Sequence, residues 1–192
     1  MSLLISAEHL SLLQYFHKVD IGILRAIFEN RNPALDSTFI GITDSAAALA
    51  FGIPGILLII ALLKKNTALR RNALHLLIPV ALSAVLANIL KYATNLPRPY
   101  EIYPFIEKLS VGGSPTFPSG HTADAFAFAI AAALVYPRWY VIVPVIIWAC
   151  LVGYSRMCLG VHFPSDVLAG AFIGAAIASL YFWFEKQKHT AK

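Results

Sequence analysis

Residues 139–184 read WYVIVPVIIWACLVGYSRMCLGVHFPSDVLAGAFIGAAIASLYFWF. Two runs in this stretch, 139–152 and 167–184, are apolar enough to lie in a bilayer. Between them, GYSRMCLGVHFPSD at 153–166 carries Arg156, His162 and Asp166. Ionisable groups at membrane depth are costly and mark function, so this stretch predicts two membrane helices with chemistry at their junction.

Three further apolar runs precede it, at 45–63, 73–90 and 122–136. A span takes about 20 apolar residues, and the shorter runs qualify only with help from their flanks. The chain has 192 residues, of which 58% are hydrophobic and 13% charged, and its mean hydropathy is +0.69. That composition excludes an ordinary soluble domain, and the length excludes several domains. The expected fold is all-α, a polytopic membrane bundle of five to six transmembrane or interfacial helices. Five spans is our count, with four or six left open.

Two regions are expected. Residues 1–40 place Leu12, Leu13, Phe16, Ile23 and Ile27 at helical spacing among His17, Lys18, Asp20, Arg25 and Glu29, an amphipathic interfacial helix. Residues 41–192 are expected to form the membrane-embedded bundle. The start MSLLISAEHL has no basic segment before an apolar one, so no secretory signal is expected and the N-terminus is retained. Asp44 and Ser45 precede AAALAF and are expected to cap the first span.

Basic residues set the orientation. Lys64, Lys65, Arg70 and Arg71 lie between the first two runs, Arg138 between the third and fourth, and Lys186, Lys188 and Lys192 after the last. With five spans all of these fall on one side, the cytoplasmic side of an inner (plasma) membrane. The remaining polar connections meet on the periplasmic or extracellular face. The net charge of +5 is largely this asymmetry, and no nucleic-acid partner is expected.

Three polar clusters fall on the outer face. In KYATNLPRP, Lys91 ends a span and Arg98 stands between Pro97 and Pro99, which takes it out of the helix. In FPSGH, Pro118, Ser119 and Gly120 make a turn that delivers His121 to a span's start; backbone N–H groups there suit an anion, with Gly120 allowing close approach. The third cluster holds Arg156, Gly160, His162 and Asp166. Singly, Lys91 snorkels and Arg156 anchors to lipid phosphate, but together these groups fit phosphate chemistry. Two guanidinium groups and an ammonium surround the nonbridging oxygens. Asp166, four residues after His162, accepts from one imidazole nitrogen and leaves the other as nucleophile, while His121 protonates the leaving oxygen.

The patterns K-x6-RP from Lys91, PSGH at 118–121 and S-R-x5-H-x3-D from Ser155, in that order, resemble the three signature motifs of the type 2 phosphatidic acid phosphatase (PAP2) superfamily. The resemblance implies a membrane bundle, commonly six-spanned, and metal-independent hydrolysis through a phosphohistidine. It gives phosphate binding to Lys91, Arg98, Ser119, Gly120 and Arg156, the nucleophile to His162, the acid to His121 and the orienting carboxylate to Asp166. The amphipathic N-terminal segment stands where the family has a full first span.

Asp124, three residues after His121, is a further site residue that orients His121, contacts substrate or bonds a neighbouring polar group. No metal and no cofactor are expected, because the adjacent cations repel a divalent ion. Cys150 and Cys158 are expected to be packing residues, too far apart on one helix for a disulfide. Gly170, Gly174 and Ala178 are expected to seat the helix of Asp166 against that of His121.

The aromatic loop at 99–117, with Tyr100, Tyr103, Phe105 and Phe117, suits the headgroup layer. The partners expected are therefore the lipid bilayer and a membrane lipid phosphate as substrate, of undecaprenyl pyrophosphate or phosphatidylglycerol phosphate type, hydrolysed to release phosphate. The alternatives are a lipid phosphotransferase using the same histidine and a lipid A phosphatase. Oligomeric state is not readable from the sequence.

Overall fold

In a computed structural model, residues 7–110 and 112–190 are described. The chain runs through α1 (Ala7–Glu29), a 3-10 turn (Pro33–Leu35), α2 (Asp36–Leu63), α3 (Thr67–Thr94), a short α4 (Pro99–Ile102), α5 (Gly120–Val135), α6 (Trp139–Cys158) and α7 (Pro164–Thr190). The first residues, on which the retained N-terminus bears, and Lys192 lie outside the described residues, as do the side chains of Leu12 and Leu13.

Local chemistry sets the helix ends. The Asn32 side chain accepts from the Ala34 N–H at 3.0 Å, and the Asn66 side chain caps α3 by accepting from Leu69 N–H at 2.9 Å. α3 stops at Asn95, which adopts the left-handed conformation with φ 47°. Asp44 and Ser45 do not cap the first span. The 3-10 turn starts α2 at Asp36, so both lie inside the helix, where Ser45 Oγ donates to the Ile42 carbonyl and accepts from Trp148 Nε1 at 2.9 Å.

Among the described residues, four helical stretches are long and apolar enough to cross a membrane: Pro33–Leu63, Thr67–Ile102, Trp139–Cys158 and Pro164–Lys188. Their outer surfaces carry Ile56, Ile59, Val85, Ile89, Ile147, Leu168 and Phe172, all exposed, as a lipid-facing surface requires. The fifth, α5, has 16 residues, about 24 Å at 1.5 Å each, which is short of the hydrocarbon thickness. It is the central helix, packed against α2, α3, α6 and α7. Its Ala123, Ala125, Ala127, Ala129, Ala131 and Ala132 are buried on opposite sides of the helix, so small side chains let four neighbours approach at once.

The glycines of α7 make the closest approach. A Cβ at Gly170 would strike the Ser119 carbonyl oxygen, and one at Gly174 the Ala123 carbonyl oxygen. These contacts seat the helix of Asp166 directly on the helix of His121. The cysteines lie on one helix, both free, and only Cys158 is buried. Cys150 is exposed instead of packed, because its position on α6 turns it outward.

α1 lies across α6 and α7. Leu24 and Phe28 are buried with Ile106 and Phe163, joined by Tyr100, Tyr103 and Phe105, and full burial of such side chains contributes roughly 1.5–3 kcal/mol each. Its opposite face leaves Tyr15, Phe16 and Ile23 exposed. At the far end of the bundle His75 Nδ1 meets Tyr181 Oη at 2.9 Å, remote from the three clusters.

Candidate active site

The ends of α3 and α6 and the starts of α5 and α7 meet at one end of the bundle. There Asn88, Lys91, Arg98, Gly112, Gly113, Ser114, Gly120, His121, Asp124, Arg156 and His162 line a cavity of about 250 Å³. Seven of the nine site residues expected from sequence are among them. Asp166 stands behind His162. Ser119 is fully buried, its hydroxyl shared with Thr122 at 2.8 Å and its N–H donated to the Asp166 carbonyl at 3.0 Å. Ser119 is thus part of the α5–α7 joint and does not line the cavity.

The cations are held rigidly. Lys91 Nζ donates to the carbonyls of Pro115 at 2.8 Å and Thr116 at 3.3 Å. Arg98, extended between its prolines as the N-cap of α4, donates from Nε to the Ser114 carbonyl and from Nη1 to the Val161 carbonyl, both at 2.8 Å. A Cβ at Gly112 would come within 2.9 Å of Arg98 Nη1, so the loop passes closely over the guanidinium there. Arg156, only 1% exposed, donates from Nη1 to Thr43 Oγ1 at 2.6 Å. Neither Lys91 nor Arg98 pairs with a carboxylate among the described residues. Buried positive charge bonded mainly to neutral carbonyls is built to receive an anion.

His162 sits against this group. Its Nδ1–H donates to Asp166 Oδ2 at 3.2 Å, and Nε2 faces Arg98 Nη1 at 3.3 Å. Burial first, and then the positive charges of Arg156, Arg98 and Lys91, hold its imidazole well below the usual histidine range. The ring is therefore neutral, and its contact with Asp166 is a hydrogen bond between a neutral donor and a carboxylate. The same Asp166 oxygen also accepts from Phe163 N–H at 2.8 Å and Thr116 Oγ1 at 2.5 Å, which fixes its direction. Gly160 makes the turn before His162 with φ 70°, and a Cβ there would lie 2.6 Å from Ile106 Cγ2 and 2.8 Å from the Glu107 carbonyl. The glycine within the third motif is thus a steric requirement.

Several contributors carried no sequence signal. Thr116, Ser114 and Thr43 are common polar residues brought in from distant loops and helices. Asp20 of α1 reaches Ser165, next to Asp166, with two hydrogen bonds of 2.9 and 2.6 Å. Its helical spacing marked it only as part of a polar face.

The PAP2 superfamily model matches residues 72–189. The chain is 30% identical to undecaprenyl-diphosphatase BcrC of Bacillus subtilis over 168 residues, 84% of this chain and 82% of that protein. It is 37% identical to a lipid A 1-phosphatase of Rhizobium johnstonii over 107 residues, 53% of this chain and 43% of that one, and so spans less than half the length of that relative. Its fold is similar to the crystal structure of a transmembrane PAP2 type phosphatidylglycerolphosphate phosphatase from Bacillus subtilis, with a TM-score of 0.76 and 26% identity over 90% of this chain and 87% of that one.

Proposed function

Because this chain belongs to the PAP2 superfamily, we propose that it is an integral membrane lipid phosphatase acting through a phosphohistidine on His162. The observation that carries this reading is the His162 environment: a neutral ring, its Nδ1–H held by Asp166, its Nε2 turned towards a cavity walled by Lys91, Arg98 and Arg156. The three cations take the nonbridging oxygens of the substrate phosphate. Nε2 attacks phosphorus, the P–N bond forms as the P–O bond to the lipid breaks, and His121 gives its proton to the departing oxygen. Water then attacks the phosphohistidine, losing its proton to His121, and phosphate leaves with both histidines restored. Asp166 balances the charge that His162 gains.

The cavity lies at the end of the bundle opposite Lys64, Lys65, Arg70, Arg71 and Arg138. The positive-inside rule then puts it on the periplasmic or extracellular face of an inner (plasma) membrane, with α1 and its exposed Phe16 and Ile23 at the interface. The substrate is a lipid phosphomonoester or pyrophosphate, of the undecaprenyl pyrophosphate or phosphatidylglycerol phosphate type that relatives' names print. Lipid A is a second reading, favoured by the 37% identity to the Rhizobium enzyme.

Phosphate release by the detergent-purified protein, with chelator present, tests the reading across these lipids beside His162→Ala. Release lost in the variant is expected. Phosphoryl transfer to a second lipid without free phosphate would make the chain a transferase, and full activity in His162→Ala would remove the covalent mechanism.

A further inference from the structure

One wall of the cavity is not used by phosphate binding. Asp124 lies three residues beyond His121 on α5, and Asn88 three residues before Lys91 on α3. α3 ends at the site and α5 begins there, so both residues stand about 4.5 Å farther towards the bilayer interior. Both line the cavity. Among the described residues the Asp124 Oδ1 is buried without a hydrogen-bond partner, and no described cation lies within 4.0 Å of its carboxyl group. The Asn88 amide donates to the Ala84 carbonyl at 2.9 Å, which leaves its own oxygen as a second acceptor at the mouth.

A buried carboxyl oxygen with no donor is expensive unless a ligand supplies one. The bound lipid has a fixed polarity: its phosphate lies among the cations, and its tails lie in the bilayer. The side on which Asp124 and Asn88 stand is therefore the side of the leaving group. An unpartnered carboxyl oxygen there accepts from O–H or N–H, which a second, ionised phosphate does not offer.

Resting on the phosphatase reading above, we infer that Asp124 selects substrates whose leaving group carries a hydrogen-bond donor on the atom beside the phosphate-bearing one. A glycerol hydroxyl, as in phosphatidylglycerol phosphate, or the amide N–H of an acylated amino sugar meets this requirement. Phosphatidic acid presents an ester at that position and a prenyl diphosphate presents a second phosphate, so both are disfavoured.

The test uses two matched pairs: phosphatidylglycerol phosphate with its analogue lacking the neighbouring hydroxyl, and an acylated glucosamine 1-phosphate lipid with its 2-deoxy counterpart. The wild-type protein is expected to favour the donor-bearing member of at least one pair by roughly tenfold or more in kcat/KM, the usual scale for a hydrogen bond to a charged group. Asp124→Ala should close that gap by lowering the donor-bearing substrate alone, and the shape-conserving Asp124→Asn should narrow it. Equal wild-type rates within both pairs, or a variant that slows both members alike, would overturn the inference while phosphatase activity stood. No phosphate release by the wild type from any lipid would overturn the phosphatase reading and this inference with it.

Discussion

Asp20 and Ser165, 145 residues apart, are joined twice: the Asp20 carboxylate accepts from the Ser165 N–H at 2.9 Å and from its hydroxyl at 2.6 Å. An acid on α1 therefore caps the helix that carries Asp166, and the burial of Leu24 and Phe28 holds α1 in place. The loop that carries His162 is clamped between its own helix and a helix of the N-terminal segment. Asp20→Ala removes a cap, a loss of about 1 kcal/mol in most helices. We expect a several-fold fall in kcat with KM nearly unchanged, since no cavity residue is altered. Steady-state kinetics on a short-chain substrate decide it; an unchanged kcat would show that the contact fastens α1 without positioning His162.

His162→Ala should abolish turnover while binding of a phosphate analogue such as vanadate remains measurable, because the cations keep their bonds to carbonyls and Thr43 when the 3.3 Å contact of Arg98 with the histidine is lost. Calorimetric titration with vanadate, beside phosphate release, checks both halves. Loss of binding together with turnover would mean that His162 is part of the anion clamp.

The pH profile follows from the low affinity of His162 for protons. Attack requires a neutral ring, and its downward shift from the ordinary 6.5 means that lowering the pH through that value does not protonate it. The acid limb of kcat/KM belonging to the nucleophile therefore lies below pH 6.5. Measured kcat/KM, corrected for ionisation of the lipid phosphate, should not fall as pH drops through that value, because the nucleophile stays neutral and the acid His121 gains protons. A decline already complete there would contradict the cationic, desolvated environment assigned to the ring.

Gly160→Ala meets two obstacles, a left-handed backbone at φ 70° and atoms of Ile106 and Glu107 under 3.0 Å from the new Cβ. Strain of this kind costs on the order of 1–3 kcal/mol. We expect a lower thermal unfolding midpoint in detergent and reduced activity together. A variant as stable and active as wild type would show that the loop relaxes without moving His162.

What could be read from the sequence and what could not divide along a physical line. Lys91, Arg98, Gly120, His121, Arg156 and His162 were legible because each motif fixes its own local backbone, by proline, by a turn or by a helix start. Gly170 and Gly174 were legible because a small-residue stripe states a packing requirement. The start of α2 was misread: the apolar run at 45–63 begins well inside the helix, and the signal that sets the end is Asn32 and Pro33, upstream of the hydropathy change. Thr43, which holds Arg156 from 113 residues away, has no sequence mark at all. Long-range polar partners of ordinary type are specified by the fold alone.

Thr116 is the most consequential of these. Its hydroxyl lies 2.5 Å from the Asp166 oxygen that also takes the His162 Nδ1–H, and 3.3 Å from that nitrogen itself. Thr116→Val keeps the volume and removes the donor, leaving a carboxylate at 2% exposure with one bond fewer. Bonds to charged groups contribute about 1.5–3 kcal/mol, so a fall in kcat of roughly ten- to a hundredfold is expected, with KM changed little because Thr116 lies behind the histidine. Thr116→Ser restores the donor and should recover most of the rate. If valine and serine variants were equally slow, the shape of Thr116 would matter and its hydroxyl would not.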